Sequence, residues 1–219
     1  MDRWATFDCY GTLIDWNGGI GRELERLFGA ELVARLLHGY HEIEQQLQRE
    51  RPEASYRDVL TVALARLAER EDVSLGNDEH DALARSLPTW KPFPDVHEAL
   101  EDVRARGWKL AILSNTDRDY IEASLEQIGV PFELAIVASE IGSYKPGRKH
   151  WDTFEGQTGA PRTSHVHVAA SLYHDIAPAT ELGLRTVWIN RLGEHPKPHP
   201  DAELHSLTGL GAALDALVP

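Results

Sequence analysis

Hydrophobic and polar positions follow two different patterns along this 219-residue chain. From Ile20 to about Leu87, apolar residues recur every three or four positions, which is typical of amphipathic helices. After Pro92-Phe93-Pro94, short apolar runs that predict strands alternate with further helical stretches. This alternation predicts a parallel sheet with helices on both faces. The predicted strands are 5–7, 109–113, 134–138, 166–170 and 185–189, and the predicted helices are 95–106, 117–128, 148–157, 175–182 and 209–217.

The helical block separates the first predicted strand from all the others. We therefore predict a doubly wound α/β core made of residues 1–14 and 92–219, with an all-helical cap domain inserted at 15–91. Because the insertion leaves the sheet one turn after Asp8, the cap is expected to cover that residue and to exclude water from it. The polar stretch 42–51 within the cap is interpreted as a solvated helix.

Composition limits the partners that this chain can have. Acidic residues outnumber basic ones by 35 to 22, which gives a net charge of −13. Such a chain lacks the basic field that nucleic-acid binding needs, and an anionic substrate requires a locally positive site. The single cysteine, Cys9, cannot form an internal disulfide, and no stretch resembles a signal peptide or is long enough to cross a membrane. We expect a cytoplasmic protein that binds a small anionic substrate, neither nucleic acid nor membrane, and whose cap permits a homodimer.

Polar side chains follow four of the predicted strands. The carboxyl ends of parallel strands meet at one edge of a sheet, where α/β proteins bind ligands. Each set by itself is also typical of a helix N-cap or an exposed turn. Four sets at four strand ends favour a functional site. They are Asp8, Tyr10 and Thr12; Ser114-Asn115-Thr116; Tyr144-Lys145-Pro146; and Ser171 with Asp175.

With these motifs, the chain resembles the haloacid dehalogenase superfamily. The four motifs of that superfamily correspond in order to Asp8, Ser114, Lys145 and the segment 170–175. The helical block lies between the first and second motifs, which is the most common cap position in the superfamily. The resemblance implies a Rossmann-like core, an aspartyl nucleophile and an ester or acyl-phosphate intermediate.

Two positions distinguish the chemistries found in the superfamily. Its phosphatases carry a second aspartate two residues after the nucleophile, as a general acid, and a motif-four aspartate that helps to hold Mg²⁺. Here these positions are Tyr10 and Ala170, and a phenol with a pKa near ~10 is a poor replacement for a carboxylic acid. The string from Asp8 to Leu13 is instead similar to the 2-haloacid dehalogenase branch, which needs no metal.

The expected function is therefore that of a hydrolase that displaces halide from a short 2-haloalkanoate without a cofactor. The alternative is a Mg²⁺-dependent small-molecule phosphatase, with Asp8, Tyr10 and Asp175 at the metal. A binding protein without turnover is the least favoured reading, because all four motif residues are present together.

Within the dehalogenase branch, the resemblance implies a role for each residue. Asp8 becomes an ester, Lys145 holds the Asp8 carboxylate and stabilises the oxyanion, and Asp175 orients Lys145 or activates the hydrolytic water. Thr12 and Ser114 orient Asp8 or bind the substrate carboxylate. The residues expected around the substrate or the halide are Tyr10, His41, Asn115, Trp151 and Ser171.

The chain departs from that branch at three positions. An arginine early in the family's cap helps to bind halide or carboxylate, and the nearest position here is His41. The motif-four serine and asparagine are replaced by Ala170 and Leu172, which removes two hydrogen-bond donors. The resemblance therefore leaves open how substrate and water are positioned.

Overall fold

A single parallel sheet forms the centre of the molecule. The computed structural model of the chain describes residues 2–195 and 199–219. Within these ranges, six strands pair in the order β3-β2-β1-β4-β5-β6, so that β1 lies in the middle of the sheet. The strands are β1 (Arg3–Phe7), β2 (Trp108–Ser114), β3 (Leu134–Val137), β4 (His165–Ala169), β5 (Arg185–Ile189) and β6 (Ala202–Leu204).

Helices cover both faces of this sheet. Helices α5 (Val96–Ala105) and α10 (Leu210–Leu217) pack on one face, while α8 (Lys149–Thr158) and α9 (Ala177–Glu181) pack on the other. None of the helices in the described ranges combines the length and the apolar character needed to cross a bilayer. The remaining core helices are α6 (Arg118–Ile128) and α7 (Ala138–Ile141).

A helical insertion separates β1 from the rest of the core. Its helices are α1 (Trp16–Phe28), α2 (Val33–Glu50), α3 (Tyr56–Arg70) and α4 (Ala82–Ser86), and no strand interrupts them within the described residues. The predicted α/β fold with an all-helical insertion is thus confirmed. Three elements differ from the prediction. The strand β6 is too short to give an apolar run, and α7 begins at Ala138, which the sequence predicts as the end of β3. The helix predicted at 175–182 is preceded by a π-helical turn, Leu172–Ile176, which continues into α9.

The two chain segments that join cap and core are hydrogen-bonded to each other. Ile14 and Pro92 form an antiparallel bridge, the Asp15 N–H donates to the Lys91 carbonyl at 2.8 Å, and the Phe93 N–H donates to the Leu13 carbonyl at 2.9 Å. This bridge supports the proposed division into a core of 1–14 with 92–219 and a cap of 15–91.

The prediction of a solvated helix at 42–51 is wrong for one face of α2. Ile43, Glu44, Leu47 and Gln48 are all buried. The two polar residues can face inward because they satisfy each other: Gln48 Nε2 donates to Glu44 Oε1 at 2.6 Å. A helix that is polar by composition therefore presents a polar wall to the interior of the protein.

Close packing where the cap leaves the core gives a stability prediction. A Cβ atom on Gly19 would lie 2.4 Å from the ring of Trp90, which is itself buried. We expect Gly19→Ala to lower the free energy of unfolding by about 1–3 kcal/mol, the usual cost of overpacking. Urea denaturation measures this change.

Gly156 provides the matched control, because a Cβ there has no atom within 4 Å and the residue is also helical. Gly156→Ala should leave stability unchanged or raise it by up to ~1 kcal/mol, since alanine favours helices. Equal stability of the two variants would contradict the tight contact between Gly19 and Trp90.

Candidate active site

The turn after β1 holds Asp8 and Thr12 together. The Leu13 and Ile14 N–H groups both donate to the Cys9 carbonyl, and Gly11 adopts a φ of +91°, which favours glycine. This tight turn brings the Thr12 hydroxyl within 2.8 Å of Asp8 Oδ2, to which it donates. The Ala170 N–H donates in turn to Thr12 Oγ1 at 2.9 Å. These two hydrogen bonds fix the orientation of the Asp8 carboxylate through Thr12.

The Lys145 ammonium lies between two carboxylates at the edge of the sheet. Its Nζ donates to Asp8 Oδ1 at 3.0 Å, to Asp175 Oδ1 at 2.7 Å and to the Leu113 carbonyl at 2.6 Å. Three donors thus meet three acceptors, and the side chain is only 1% exposed. Asp8, Lys145 and Asp175 are hereafter called the ion triad.

Asn115 fixes the backbone from which Lys145 projects. The Lys145 N–H donates to Asn115 Oδ1 at 2.7 Å, and Asn115 Nδ2 donates to the Lys145 carbonyl at 3.0 Å. The same Nδ2 lies 3.5 Å from Gln48 Oε1 of the cap. One amide therefore aligns the ammonium and also reaches across to the cap.

Burial and charge oppose each other within the ion triad. Burial raises the pKa of Asp8 above its usual value, and the nearby Lys145 ammonium limits that rise. Burial alone would also raise the pKa of Asp175, but Lys145 and the His167 N–H lower it below its usual value. Burial alone would lower the pKa of Lys145, while its two carboxylate partners raise it. Lys145 therefore stays charged and holds the acids in place.

A cavity of about 370 Å³ opens between the sheet edge and the cap, and most of the predicted site residues line it. This volume lies within the range usual for small-molecule sites. The structure brings to this cavity the following predicted residues: Asp8, Tyr10, His41, Ser114, Asn115, Lys145, Ser171 and Asp175.

Trp151 does not lie at this cavity, and its predicted contact with the substrate is wrong. The side chain is fully buried and packs its ring against His167, with ring centroids 5.4 Å apart. The cause is the rotation of α8, which turns position 151 toward the face of the sheet together with Phe154. A spacing of six residues from Lys145 did not determine which side of this helix faces the site.

The prediction that Tyr10 lends its hydroxyl to the pocket needs correction. Tyr10 lines the cavity, but its hydroxyl is hydrogen-bonded to Ser124 of α6 at 3.0 Å. Burial raises the pKa of this phenol well above its usual value. Tyr10 thus supplies bulk at the cavity wall and holds its proton, so it does not act as the acid that a phosphatase needs.

His41 reaches the cavity without bringing a positive charge. Its ring stacks on Trp16 with centroids 4.7 Å apart, and its Nε2 lies 3.0 Å from Asn17 Oδ1. Burial lowers the pKa of His41 to about 4, so the imidazole is neutral at neutral pH. Among the described cap residues that line the cavity, none is an arginine or a lysine.

Ser171 stabilises its own turn. Its hydroxyl oxygen accepts the His174 N–H at 3.0 Å, which is the capping role that its sequence position also allowed. Ser171 lines the cavity as well.

Several residues at the cavity were not predicted from the sequence. Burial raises the pKa of Glu44 to about 8, so this cap residue is largely protonated at neutral pH. Arg191 is bound by Asp95 at 3.0 Å, and the Thr12 carbonyl accepts from the same guanidinium at 2.9 Å. In the cap, the sequence did contain one indication: Glu44 and Gln48 are four residues apart, which places them on the same face of a helix. The additional lining residues include Trp16, Asn17, Glu44, Gln48, Asn190 and Arg191.

The donor set does not fit the Mg²⁺ of the alternative prediction. Magnesium needs octahedral oxygen ligands. Of the three residues proposed for it, Asp8 and Asp175 both face the Lys145 ammonium, and Tyr10 is bound to Ser124. Across 2–195 and 199–219, no group of three or more His, Cys, Asp or Glu side chains could hold a metal ion. The local positive charge comes from Lys145.

Comparison with known families agrees with this geometry. The family model for haloacid dehalogenase-like hydrolases matches residues 3–183. The chain therefore belongs to the haloacid dehalogenase-like hydrolases, and the resemblance based on the four motifs is confirmed.

Individual relatives cover much of the chain. The (S)-2-haloacid dehalogenase of Pseudomonas sp. (strain YL) is 27% identical over 208 residues, which are 92% of this chain and 89% of that protein. The crystal structure of the L-2-haloacid dehalogenase RSc1362 has a TM-score of 0.89 at 25% identity and covers 98% of this chain and 99% of that one. Phosphatase MT3486 of Mycobacterium tuberculosis (strain CDC 1551 / Oshkosh) is 28% identical over 157 residues, 68% of each chain.

Removing the cation of the ion triad should expose the cost of its two buried acids. We expect Lys145→Met to lower the free energy of unfolding at neutral pH by about 3–5 kcal/mol, because two buried carboxylates then lack the lysine cation that neutralises them. Their folded-state pKa values then rise above the unfolded values, so stability relative to wild type is regained as the pH falls toward ~4. Denaturant unfolding at several pH values measures this effect.

Lys149→Met is the control, since Lys149 is exposed on α8, four residues along the chain. Its effect should be small at every pH. A loss in Lys145→Met that stays constant from neutral to acidic pH would show that packing, and not charge, is what the lysine contributes.

Proposed function

We propose that this chain is a 2-haloacid dehalogenase that hydrolyses short (S)-2-haloalkanoates through an ester of Asp8. One observation carries the proposal: the Asp8 carboxylate is held by Thr12 and Lys145 at the floor of a cavity, with a tyrosine at the place of the phosphatase acid. The curated relative from Pseudomonas supports the (S) configuration.

The first step is an in-line displacement at C2 of the substrate. An Asp8 carboxylate oxygen forms a bond to that carbon, and the halide leaves with the electron pair of the carbon–halogen bond. Thr12 and Lys145 hold the carboxylate on the cavity floor, and a nucleophile that is already oriented reduces the entropic cost of the displacement. Asn115 lines the cavity, and we assign to its second Nδ2–H, which in this structure faces Gln48 Oε1 at 3.5 Å, a hydrogen bond to the departing halide.

The second step hydrolyses the ester. A water oxygen bonds to the Asp8 carbonyl carbon, and its proton passes to Asp175 on the cavity wall. The Lys145 ammonium, 3.0 Å from Asp8 Oδ1, stabilises the oxyanion. The bond between the Asp8 carbonyl carbon and the ester oxygen on C2 then breaks, and that oxygen takes the proton from Asp175 to give a 2-hydroxy acid. Asp8 keeps the water oxygen and releases the second water proton to solvent, which restores its carboxylate.

Core residues are the proposed site for the substrate carboxylate. Ser114 lines the cavity, and its buried Oγ has no hydrogen-bond partner in the described part of the chain. An unpartnered buried hydroxyl is costly, and a substrate oxygen would satisfy it. The cap wall supplies neutral groups such as His41 instead of the family's arginine.

Phosphate release is the runner-up. Two groups that a phosphatase needs are missing. The general acid is replaced by Tyr10, whose hydroxyl is hydrogen-bonded to Ser124, and the metal-binding aspartate is replaced by Ala170. The cytoplasmic location and the homodimer remain predictions from the sequence.

The decisive assay measures halide release from (S)-2-chloropropionate and phosphate release from an aryl phosphate, each with and without EDTA. We expect halide release that EDTA does not affect and that Asp8→Asn abolishes, because an amide is a poor nucleophile. Asp78→Asn, at an exposed cap position, is the control and should keep full activity. Phosphate release that EDTA abolishes, with no halide release, would reverse the assignment.

Ser114→Ala tests the carboxylate site separately from folding. The loss of a hydrogen bond to a charged group should raise KM about ten- to a hundredfold. Stability should hold or improve, because the variant removes a buried hydroxyl that has no partner in the described residues. Thr116→Val removes a second such hydroxyl, one that does not line the cavity, and should leave KM unchanged. Equal effects of the two variants on KM would contradict the assignment.

A further inference from the structure

Three polar residues lie in the core beneath the site and have no role in the steps above. Thr6 of β1 and His165 and His167 of β4 are fully buried. Thr6 pairs with His167 in the parallel register, and the two histidines are two residues apart, so all three side chains share one face of the sheet. Buried polar side chains of this kind are costly unless they are hydrogen-bonded.

Hydrogen bonds connect these three residues to Asp175 in a single chain. His167 Nε2 lies 3.0 Å from Asp175 Oδ1, and His167 Nδ1 lies 2.9 Å from Thr6 Oγ1. The same hydroxyl lies 2.7 Å from His165 Nε2. The far end, His165 Nδ1, has no partner among the described residues. This series of hydrogen bonds therefore starts at the ion triad and ends in the core.

The partners determine which atoms carry hydrogen. Asp175 Oδ1 already accepts from Lys145 and belongs to an ionised carboxylate, so His167 Nε2 must be the donor. In a neutral imidazole Nδ1 then accepts, and the Thr6 hydroxyl donates to it. The Thr6 oxygen in turn accepts from His165 Nε2–H. One set of tautomers satisfies all three contacts, and burial, which lowers the pKa of His165 to about 3, agrees with a neutral ring there.

Both donors to Asp175 converge on the same oxygen. Lys145 Nζ and His167 Nε2 each bind Oδ1, at 2.7 Å and 3.0 Å, which leaves Oδ2 for the cavity that Asp175 lines. We propose that His167 is a positioning residue that anchors Asp175 by Oδ1 and thereby directs Oδ2 at the water that hydrolyses the Asp8 ester.

This anchor matters most after the first step. Once Asp8 is an ester it carries no charge, so Lys145 keeps a single carboxylate partner within the ion triad. A carboxylate held by Lys145 alone can rotate to offer both oxygens to the ammonium. The His167 N–H, fixed from behind by Thr6, holds Oδ1 in place while Lys145 turns to the ester oxygen. This inference rests on the proposed dehalogenase function.

Two variants of similar shape separate hydrogen bonding from packing. Glutamine at position 167 can donate to Asp175 and accept from Thr6, whereas methionine can do neither. With (S)-2-chloropropionate, we expect His167→Met to release a first equivalent of halide at nearly the wild-type rate. Steady-state turnover should then fall about ten- to a hundredfold, as when other supports of a catalytic group are removed. The alkylated protein should accumulate in intact-mass spectra. His167→Gln should recover most of the turnover without accumulation.

The outcomes distinguish this proposal from the function on which it rests. No first-equivalent halide release from the wild-type protein would overturn the dehalogenase function itself. Normal release together with equal losses of both steps in His167→Met and His167→Gln would overturn the positioning role and indicate a packing defect. If His167→Met does not fold, Thr6→Val removes the hydroxyl that fixes the imidazole and should slow ester hydrolysis in the same selective way. Unchanged hydrolysis in that variant would also overturn the proposal.

Discussion

The contact between one buried ammonium and two buried carboxylates is the interaction on which the rest of this structure depends. Asp8 and Lys145 lie in loops after β1 and α7, and Asp175 lies in the π-helical turn after β4. Buried charges of this kind are tolerated in an interior only as a set. The surrounding features keep the set complete: Thr12 binds the first acid, Asn115 holds the lysine backbone, and the π-helical turn presents the second acid. Chemistry and stability are therefore coupled at this point of the fold.

The sequence was most informative where topology alone places a residue. Asp8, Ser114, Lys145 and Asp175 follow strands, and the carboxyl ends of parallel strands must meet, so their proximity could be predicted without any knowledge of side-chain packing. Trp151 shows the limit of such reasoning. It lies on a helix, where neighbouring positions face different directions. A spacing counted along the sequence therefore does not determine whether position 151 faces the cavity or the core.

Polar residues that face inward were the other limit. Glu44 and Gln48 gave α2 the composition of a surface helix, and His165 and His167 gave β4 the alternation of a half-exposed strand. In both cases polar atoms are paired with one another or with a neighbouring element, as in the bonds from Gln48 to Glu44 and from His165 Nε2 to Thr6. Hydrophobicity patterns record the polarity of a side chain but not the partner that makes its burial possible.

The pairing of the two connecting segments has a consequence for how this architecture can be altered. The Leu13 carbonyl accepts the N–H of Phe93, which lies on the segment that returns from the cap to the core. The neighbouring Thr12 supports Asp8 through its hydroxyl and binds Arg191 through its carbonyl. The connection between cap and core and the turn that carries Asp8 are thus formed by the same continuous stretch of backbone. A cap domain taken from another member of the family would have to reproduce the pairing of these two connecting segments as well as the cap helices. A chimera that changes this pairing also displaces the Asp8 carboxylate.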